Sequence, residues 1–319
     1  MTHALRTTEY DARNEQFQWI AKALGLRRPR NHTFSKINFV YTLMSKRKLT
    51  KLVEGGVVTG WDDARMPTMR GVVRRGIDIA ALRSFMYAQG ASRNNVKMVW
   101  HSFWANNKKE IDPKAKRFMA IDSEDNAVLT VTNGPSAESF TFKETTLHPK
   151  EPSMGTRAVR MAKKVILETE DVDGVEVGEE IVLLRWGVVK ITKIDGKALE
   201  GEYVPDGDFK KAKRKLTWLA DVSENIPVVL YEFGHLITKE ELDENDNLED
   251  FFNPNSMVTT KVVGDSGLKT LQENDIIQLE RRGYYRVDRP YLRAPDRPLE
   301  LFLIPDGRSK SMVGKESKV

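Results

Sequence analysis

The chain has 319 residues, enough at roughly 150 per domain for about two domains with a sizeable core. Hydrophobic residues make up 40% and charged residues 30%, no stretch approaches the ~18 unbroken apolar residues of a spanning helix, and no apolar signal segment follows Met1; a membrane-spanning, disordered or secreted protein is not expected, and a cytoplasmic address is. The absence of cysteine excludes disulfides and thiolate chemistry, and the net charge of +5 conceals an asymmetry: residues 1–120 hold 23 Lys/Arg against 9 Asp/Glu, residues 121–319 hold 28 against 37, and so basic a first third suits a polyanion such as nucleic acid.

From Glu9 to Leu24, Tyr10, Phe17, Ile20, Ala21 and Leu24 recur at spacings of three and four, which predicts a helix ended by Gly25. Lys36–Leu43 is β-branched, aromatic and alternating, a strand that enters a loop at Met44-Ser-Lys-Arg-Lys48. Helical patterns follow at Leu49–Glu54, Thr68–Arg75, Ile79–Gln89 and Asn95–Lys109. Beyond Asp112-Pro113 the texture changes to short β-rich runs at Ala127–Thr132, Lys164–Glu168, Glu180–Ile194, Val228–Phe233, Asp275–Val287 and Leu299–Ile304, separated by turn residues. Many short strands with few helices imply barrels or sandwiches. No repeat of fixed period is visible, and the acidic run Glu240–Asp250 reads as a solvated loop or short helix.

The five histidines lie far apart, so a zinc site of ordinary spacing is not expected. There is no Gly-x-x-x-x-Gly-Lys-Ser/Thr phosphate loop, no dinucleotide fingerprint and no Gly-x-Ser-x-Gly nucleophile elbow. What remains is the loop 44–48, where three cations beside a small hydroxyl residue suit a triphosphate and the charge that develops on a leaving pyrophosphate.

The stretch from Phe34 through that loop to Leu49, followed by Gly60-Trp-Asp-Asp-Ala-Arg-Met-Pro-Thr68 and Arg70-Gly-Val-Val-Arg-Arg-Gly76, resembles the class I glutamyl- and glutaminyl-tRNA synthetases. Trp100–Pro113, Gln278–Tyr285 and Ile304-Pro-Asp-Gly307 extend the resemblance over nearly the whole chain. It implies a multi-domain α/β plus all-β protein. The second part of a Rossmann-like catalytic domain would occupy residues 1–55, a helical subdomain against the inner corner of tRNA residues 56–120, and two anticodon-binding β-barrels residues 121–319.

By the same resemblance Lys46, with Ser45 and Lys48, serves catalysis, while Lys36, Ile37, Met44 and Lys46 line the ATP site. Gln278 and Arg281 match anticodon contacts, Lys213 and Arg214 suit anticodon-loop phosphates, and Arg65 belongs to the tRNA-facing Trp-Asp-Asp segment. Arg185, in Arg185-Trp186-Gly187, has no clear counterpart, and Trp218 reads as core. Arg6 stands where the glutaminyl enzymes carry cysteine and the archaeal and eukaryotic glutamyl enzymes arginine; its planar fork suits a carboxylate.

The implied activity is ATP-dependent attachment of glutamate to tRNA(Glu), with magnesium entering as part of the ATP substrate and no resident metal or organic cofactor. The resemblance also admits a multi-synthetase complex. The family's other signature, His-Ile-Gly-His, does not occur in these 319 residues. The expectation is therefore a C-terminal portion with little or no amino-acid activation alone, the alternatives being a stand-alone tRNA-binding scaffold or the glutaminyl enzyme.

Overall fold

The computed structural model describes residues 1–135, 141–243, 245–294 and 296–308. The chain opens on strand His3–Thr7, passes through a 3-10 turn (Thr8–Arg13) into helix α1 (Asn14–Ala23), and returns as strand Arg30–Phe34, which pairs in parallel with the first. Parallel neighbours need such a crossover, so this is a β-α-β unit. Only Ala21 of α1 is buried; Trp19 and Ile20, on its apolar side, are exposed.

The strand expected over 36–43 is reduced to Asn38–Phe39, paired in parallel with Lys97–Met98. It ends because Tyr41 takes a left-handed backbone (φ 56°), its N–H donating to the Glu240 carbonyl at 2.8 Å. Helix α2 (Lys46–Glu54) follows, then α3 (Met69–Arg74), whose cap Thr68 accepts from the Gly71 N–H at 2.9 Å, and α4 (Ile79–Gln89), capped by Asp78. Helix α5 (Trp100–Ile111) begins later than the sequence predicts, since Lys97–Met98 is taken by the short sheet. Phe85 of α4 meets Phe103 of α5 edge-on at 5.0 Å, and Trp104 is 1% exposed among them.

Two seven-stranded sheets make up most of the remainder. The first runs, in spatial order, Arg214–Leu216, Glu180–Leu183, Gly187–Asp195, Ala198–Val204, Asn126–Val131, Lys164–Glu168 and Trp218–Ala220. The second runs Lys116–Phe118, Ile276–Leu279, Gly283–Arg289, Leu299–Ile304, Ile226–Phe233, Met257–Gly264 and Ala120–Asp122. In each, the two edge strands are consecutive pieces of chain, joined through buried Thr217 in one and buried Met119 in the other, so each sheet curls into a barrel. The pairing sense, parallel or antiparallel, is the same at every step of both sheets.

The barrels are therefore two copies of one plan with exchanged strands. The segment 116–122, which leads into the first barrel's strands, completes the second barrel; the segment 214–220, which leads into the second barrel's strands, completes the first. Leu129, Leu167, Ile181 and Ile191 fill one core, Val228, Ile277, Val287 and Leu301 the other, as alternation along the strands dictates. The Glu180–Ile194 and Asp275–Val287 runs are each a hairpin rather than one strand, turning at Arg185 and Arg281.

Helix α3 binds the helical region to the second barrel. Arg74 donates to both Asp288 carboxylate oxygens at 2.8 Å, and Arg75 donates to the Phe233 carbonyl at 2.5 Å beneath the Trp104 ring. Among the described residues no helix is long and apolar enough to cross a membrane.

Candidate functional site

The loop 44–48 differs in one respect from the sequence expectation: its last three residues already form the first turn of α2. Ser45 is the N-cap residue, but its hydroxyl makes no capping bond, and the first turn holds Lys46, Arg47 and Lys48 with no acidic residue. Cations are unfavourable at this positive end of a helix and stabilising only opposite an anion. The helix end thus combines backbone N–H groups without intrahelical partners, an uncapped hydroxyl and three successive cations, of which Lys48 lines the adjoining cleft. Leu49 and Leu52 anchor the other face against Leu236 and Leu248, each burial contributing about 1.5–3 kcal/mol.

Beside this turn lies a cleft of about 180 Å³ lined by Lys36, Met44, Ser45 and Lys48, with Glu240 and Glu241 on its far wall. Lys46 is exposed at the rim and Lys48 half-buried, its ammonium 3.5 Å from the Asp243 carbonyl. Ile37 is half-buried and does not line the cleft. The acidic run is largely exposed and ends in a 3-10 turn at Leu248–Phe251, as expected, while Glu240 and Glu241 also line this cleft and Glu241 pairs with Lys97 at 2.7 Å; residue 244 lies outside the described residues.

Arg6 lies on the first strand in register with Thr33 and does not line that cleft. It donates to the Asn14 side-chain oxygen and sits over the Phe17 ring, while its buried Nε–H has no protein partner. Among the described residues no carboxylate pairs with it, so a half-buried guanidinium is available to a carboxylate from outside.

A second concavity, of about 530 Å³, opens on the second barrel between Lys108, Gln278, Arg281, Arg282, Tyr284 and Tyr231. The structure brings Gln278 and Arg281 together here, and the buried Oε1 of Gln278 finds no hydrogen-bond partner. Such a wall of flat rings, guanidinium and amide suits an unstacked base. Lys213 stands exposed on the first barrel.

Arg281 is already paired with Asp171, and two further residues expected to meet tRNA are engaged within the protein. Arg65 is a buried clamp, its Nε and Nη2 donating to both Asp63 oxygens at 2.9 and 2.8 Å, Nη1 to the Ser256 hydroxyl at 3.0 Å and Nη2 to the Val57 carbonyl at 3.2 Å. Burial works to raise the Asp63 pKa, but hydrogen bonds from Arg65 and from the backbone of Thr59 and Arg65 hold it at about 2. The Arg214 guanidinium donates to the carbonyls of Asp171, Asp173 and Gly174 and to Glu179, so it orders that segment and is not free for a phosphate. Arg185, left without a role by sequence reasoning, donates to the Thr146 carbonyl at 2.8 Å and pairs with Glu280 across the barrel junction.

Comparison with known proteins finds matches along nearly the whole chain. Residues 1–113 match the model of the catalytic domain of class I tRNA synthetases (E and Q), and residues 115–206 and 215–288 match two anticodon-binding domain models of the same group. A protein of Schizosaccharomyces pombe named probable glutamate–tRNA ligase, cytoplasmic, is 44% identical over 320 residues, covering 98% of this chain and 44% of its own length. The cytoplasmic glutamate–tRNA ligase of Saccharomyces cerevisiae is 43% identical, covering 98% and 44%. A bifunctional glutamate/proline–tRNA ligase of Cricetulus griseus is 41% identical over all of this chain and 22% of its own length. The chain thus spans less than half the length of these relatives.

Proposed function

The chain belongs to the class I tRNA synthetases of the glutamyl and glutaminyl type, and from that premise we propose that it serves the ATP-dependent attachment of glutamate to tRNA(Glu). In our reading, residues 1–55 bring the phosphate loop and the substrate arginine, residues 56–120 meet the tRNA stem, and residues 121–319, with the strand Lys116–Phe118, hold the anticodon. The carrying observation is the first turn of α2, three cations on an uncapped helix end. Activation needs the glutamate carboxylate in line with the α-phosphate and needs charge stabilised on the departing pyrophosphate; neither requires a proton-transfer residue. Lys46 and Lys48 supply that charge, and Ser45 and the helix N–H groups bind phosphate oxygens, magnesium arriving with the ATP. Lys36 and Met44 border the nucleotide, and Ile37, which does not line the cleft, supports it from behind only.

Arg6 takes the side-chain carboxylate of glutamate; opposite glutamine, its buried charge would face a neutral amide. Gln278 and Arg281 read a base of the anticodon, and Lys213 meets a phosphate. Relatives named cytoplasmic support a cytoplasmic address, and the bifunctional relative supports assembly with a second synthetase.

The test is charging of total tRNA with labelled glutamate and, separately, glutamine, with tRNA binding to this chain followed in parallel. Salt-sensitive tRNA binding, with any charging confined to glutamate, is expected. Charging with glutamine would move the reading to the glutaminyl enzyme, and absence of tRNA binding would overturn it.

A further inference from the structure

Two arginines occupy equivalent places in the duplicated barrels and meet different surroundings. Arg185 (φ 69°) and Arg281 (φ 67°) each stand at the turn of the hairpin, Glu180–Leu183 to Gly187–Asp195 in the first barrel and Ile276–Leu279 to Gly283–Arg289 in the second. A left-handed backbone is uncommon for a long side chain. Its recurrence sends both guanidiniums across the junction into the opposite barrel: Arg185 to Glu280, Arg281 to Asp171.

The Arg185 side chain is 17% exposed, and its partners are Glu280, the Thr146 carbonyl and the Thr145 hydroxyl. That of Arg281 is 42% exposed and, among the described residues, bonds to Asp171 alone, through both terminal nitrogens, one at 2.5 Å. Among the described residues the Arg281 Nε–H makes no hydrogen bond and no ring stacks on the guanidinium face. Arg281 borders both the 530 Å³ concavity that holds Gln278 and a neighbouring, strongly acidic cavity of about 320 Å³ lined by Asp122, Asp125, Glu168, Glu170 and Asp171.

We propose that Asp171 is the positioning residue for Arg281: its carboxylate takes both terminal nitrogens and fixes the plane of the guanidinium, so that an anticodon base in the 530 Å³ concavity meets an oriented Nε edge and face rather than a mobile chain. The proposal rests on the assignment of Gln278 and Arg281 to the anticodon. A guanidinium held by two parallel bonds has given up its rotamer freedom before the ligand arrives, which favours binding of the correctly shaped base. Asp171 is itself held. Its side chain is 10% exposed, and Arg214 donates to its carbonyl at 3.0 Å and to those of Asp173 and Gly174 at 2.8 and 3.0 Å, fixing the segment that presents the carboxylate. Arg214 thus acts at one remove from the site.

A plain inter-barrel staple would look similar, as Arg185–Glu280 does, so the decisive readout is base discrimination. Filter binding would compare a tRNA(Glu) transcript with three transcripts each carrying one replaced anticodon base, for the unaltered chain and for Arg281→Ala, Asp171→Ala, Asp171→Asn, Asp171→Glu and Glu280→Gln, at two salt concentrations. We expect Arg281→Ala and Asp171→Ala to lose about tenfold in discrimination at the same anticodon position, the order of one bidentate contact. The double variant should lose no more than either alone. The salt slope should hold, since no phosphate contact is lost, Asp171→Glu should recover part of the loss, and Glu280→Gln should lower the unfolding temperature without changing discrimination. If Asp171→Ala unfolds, Asp171→Asn decides. Discrimination lost in Arg281→Ala but kept in the Asp171 variants refutes the positioning role; discrimination kept in Arg281→Ala refutes the anticodon assignment beneath it.

Discussion

Arg65→Ala separates a structural arginine from a tRNA contact. The substitution removes two bonds to Asp63, one to the fully buried Ser256 hydroxyl and one to the Val57 carbonyl. Asp63, 4% exposed, keeps the Thr59 and Arg65 backbone N–H groups, both at 2.9 Å, and the Thr59 hydroxyl at 3.2 Å. Removing one partner of a buried pair costs about 3–5 kcal/mol, and the bonds Asp63 retains place this case near the lower end, about 3 kcal/mol. A carboxyl held at about 2 in the fold and near 3.8 in the unfolded chain contributes stability that is present above pH 4 and lost as the pH falls through 2. The difference between the unaltered chain and the variant should therefore be full in urea titrations at pH 7 and shrink between pH 4 and 2. Affinity for tRNA, measured on the folded variant in the cold, should stay within about twofold, and the salt slope should be unchanged because no phosphate contact is removed. An Arg65→Ala protein as stable as the parent, with weakened tRNA binding and a shallower salt slope, would refute the clamp.

Lys213→Ala should show the opposite pattern, unchanged unfolding with a salt slope reduced by about 0.7 for one lost phosphate contact, whereas Arg214→Ala should lower the unfolding midpoint and leave the slope alone. Burial, with the nearby Arg75 guanidinium adding to it, pushes His235 down to about 4. The fold therefore holds this imidazole neutral, and stability that is full above the ordinary pKa near 6.5 should decline by about 3 kcal/mol as the pH falls toward 4. In His235→Gln that part of the decline should vanish; a variant that keeps it would show that another group is responsible. At Gly76 (φ 101°) a Cβ would come within 2.5 Å of the buried Ile304 side chain, so Gly76→Ala should cost about 2 kcal/mol or more in urea unfolding, and a neutral result would mean the helix-to-barrel contact yields.

What the sequence made legible was local. Ile79–Gln89 carries its own apolar face, cap and terminal glycine, and Lys164–Glu168 and Leu299–Ile304 carry β-branched or apolar runs, so each element could be bounded from its own residues. Arg214–Leu216 could not: Arg-Lys-Leu reads as basic surface, and it is a strand because Glu180–Leu183 lies parallel beside it. The strand 36–43 was overestimated for a related reason, its end being set by a hydrogen bond from the distant Glu240 carbonyl. Charge behaved similarly at the candidate site. The cation cluster 46–48 is visible because its members are adjacent in sequence, whereas the pairing of Arg65 with nearby Asp63 depends on a fold that also brings Ser256 to it, and Arg214 finds Glu179 and the carbonyls of 171, 173 and 174 only through strand pairing.

The duplication of the barrels escaped the sequence because it survives as geometry. In the two hairpins Ile181, Leu183, Arg185 and Gly187 match Ile277, Leu279, Arg281 and Gly283, a pattern too short to register as a repeat of fixed period. Because each barrel is completed by a strand from the leading segment of the other, neither has a full set of strands without that segment. The copies differ most in the connection after Asn126–Val131 and its counterpart Ile226–Phe233. In the first barrel that connection carries the hairpin Thr141–Thr146 with Thr156–Met161. In the second it runs through residues 234–256, packs Leu236, Ile237 and Leu248 against α2, and hydrogen-bonds the left-handed Tyr41. Tyr231 and Glu232, which line the 530 Å³ concavity, therefore lie on the strand that continues into the wall of the α2 cleft. The two barrels thus share one strand plan and differ in this connection, which in the second barrel joins the two candidate sites through a single stretch of chain.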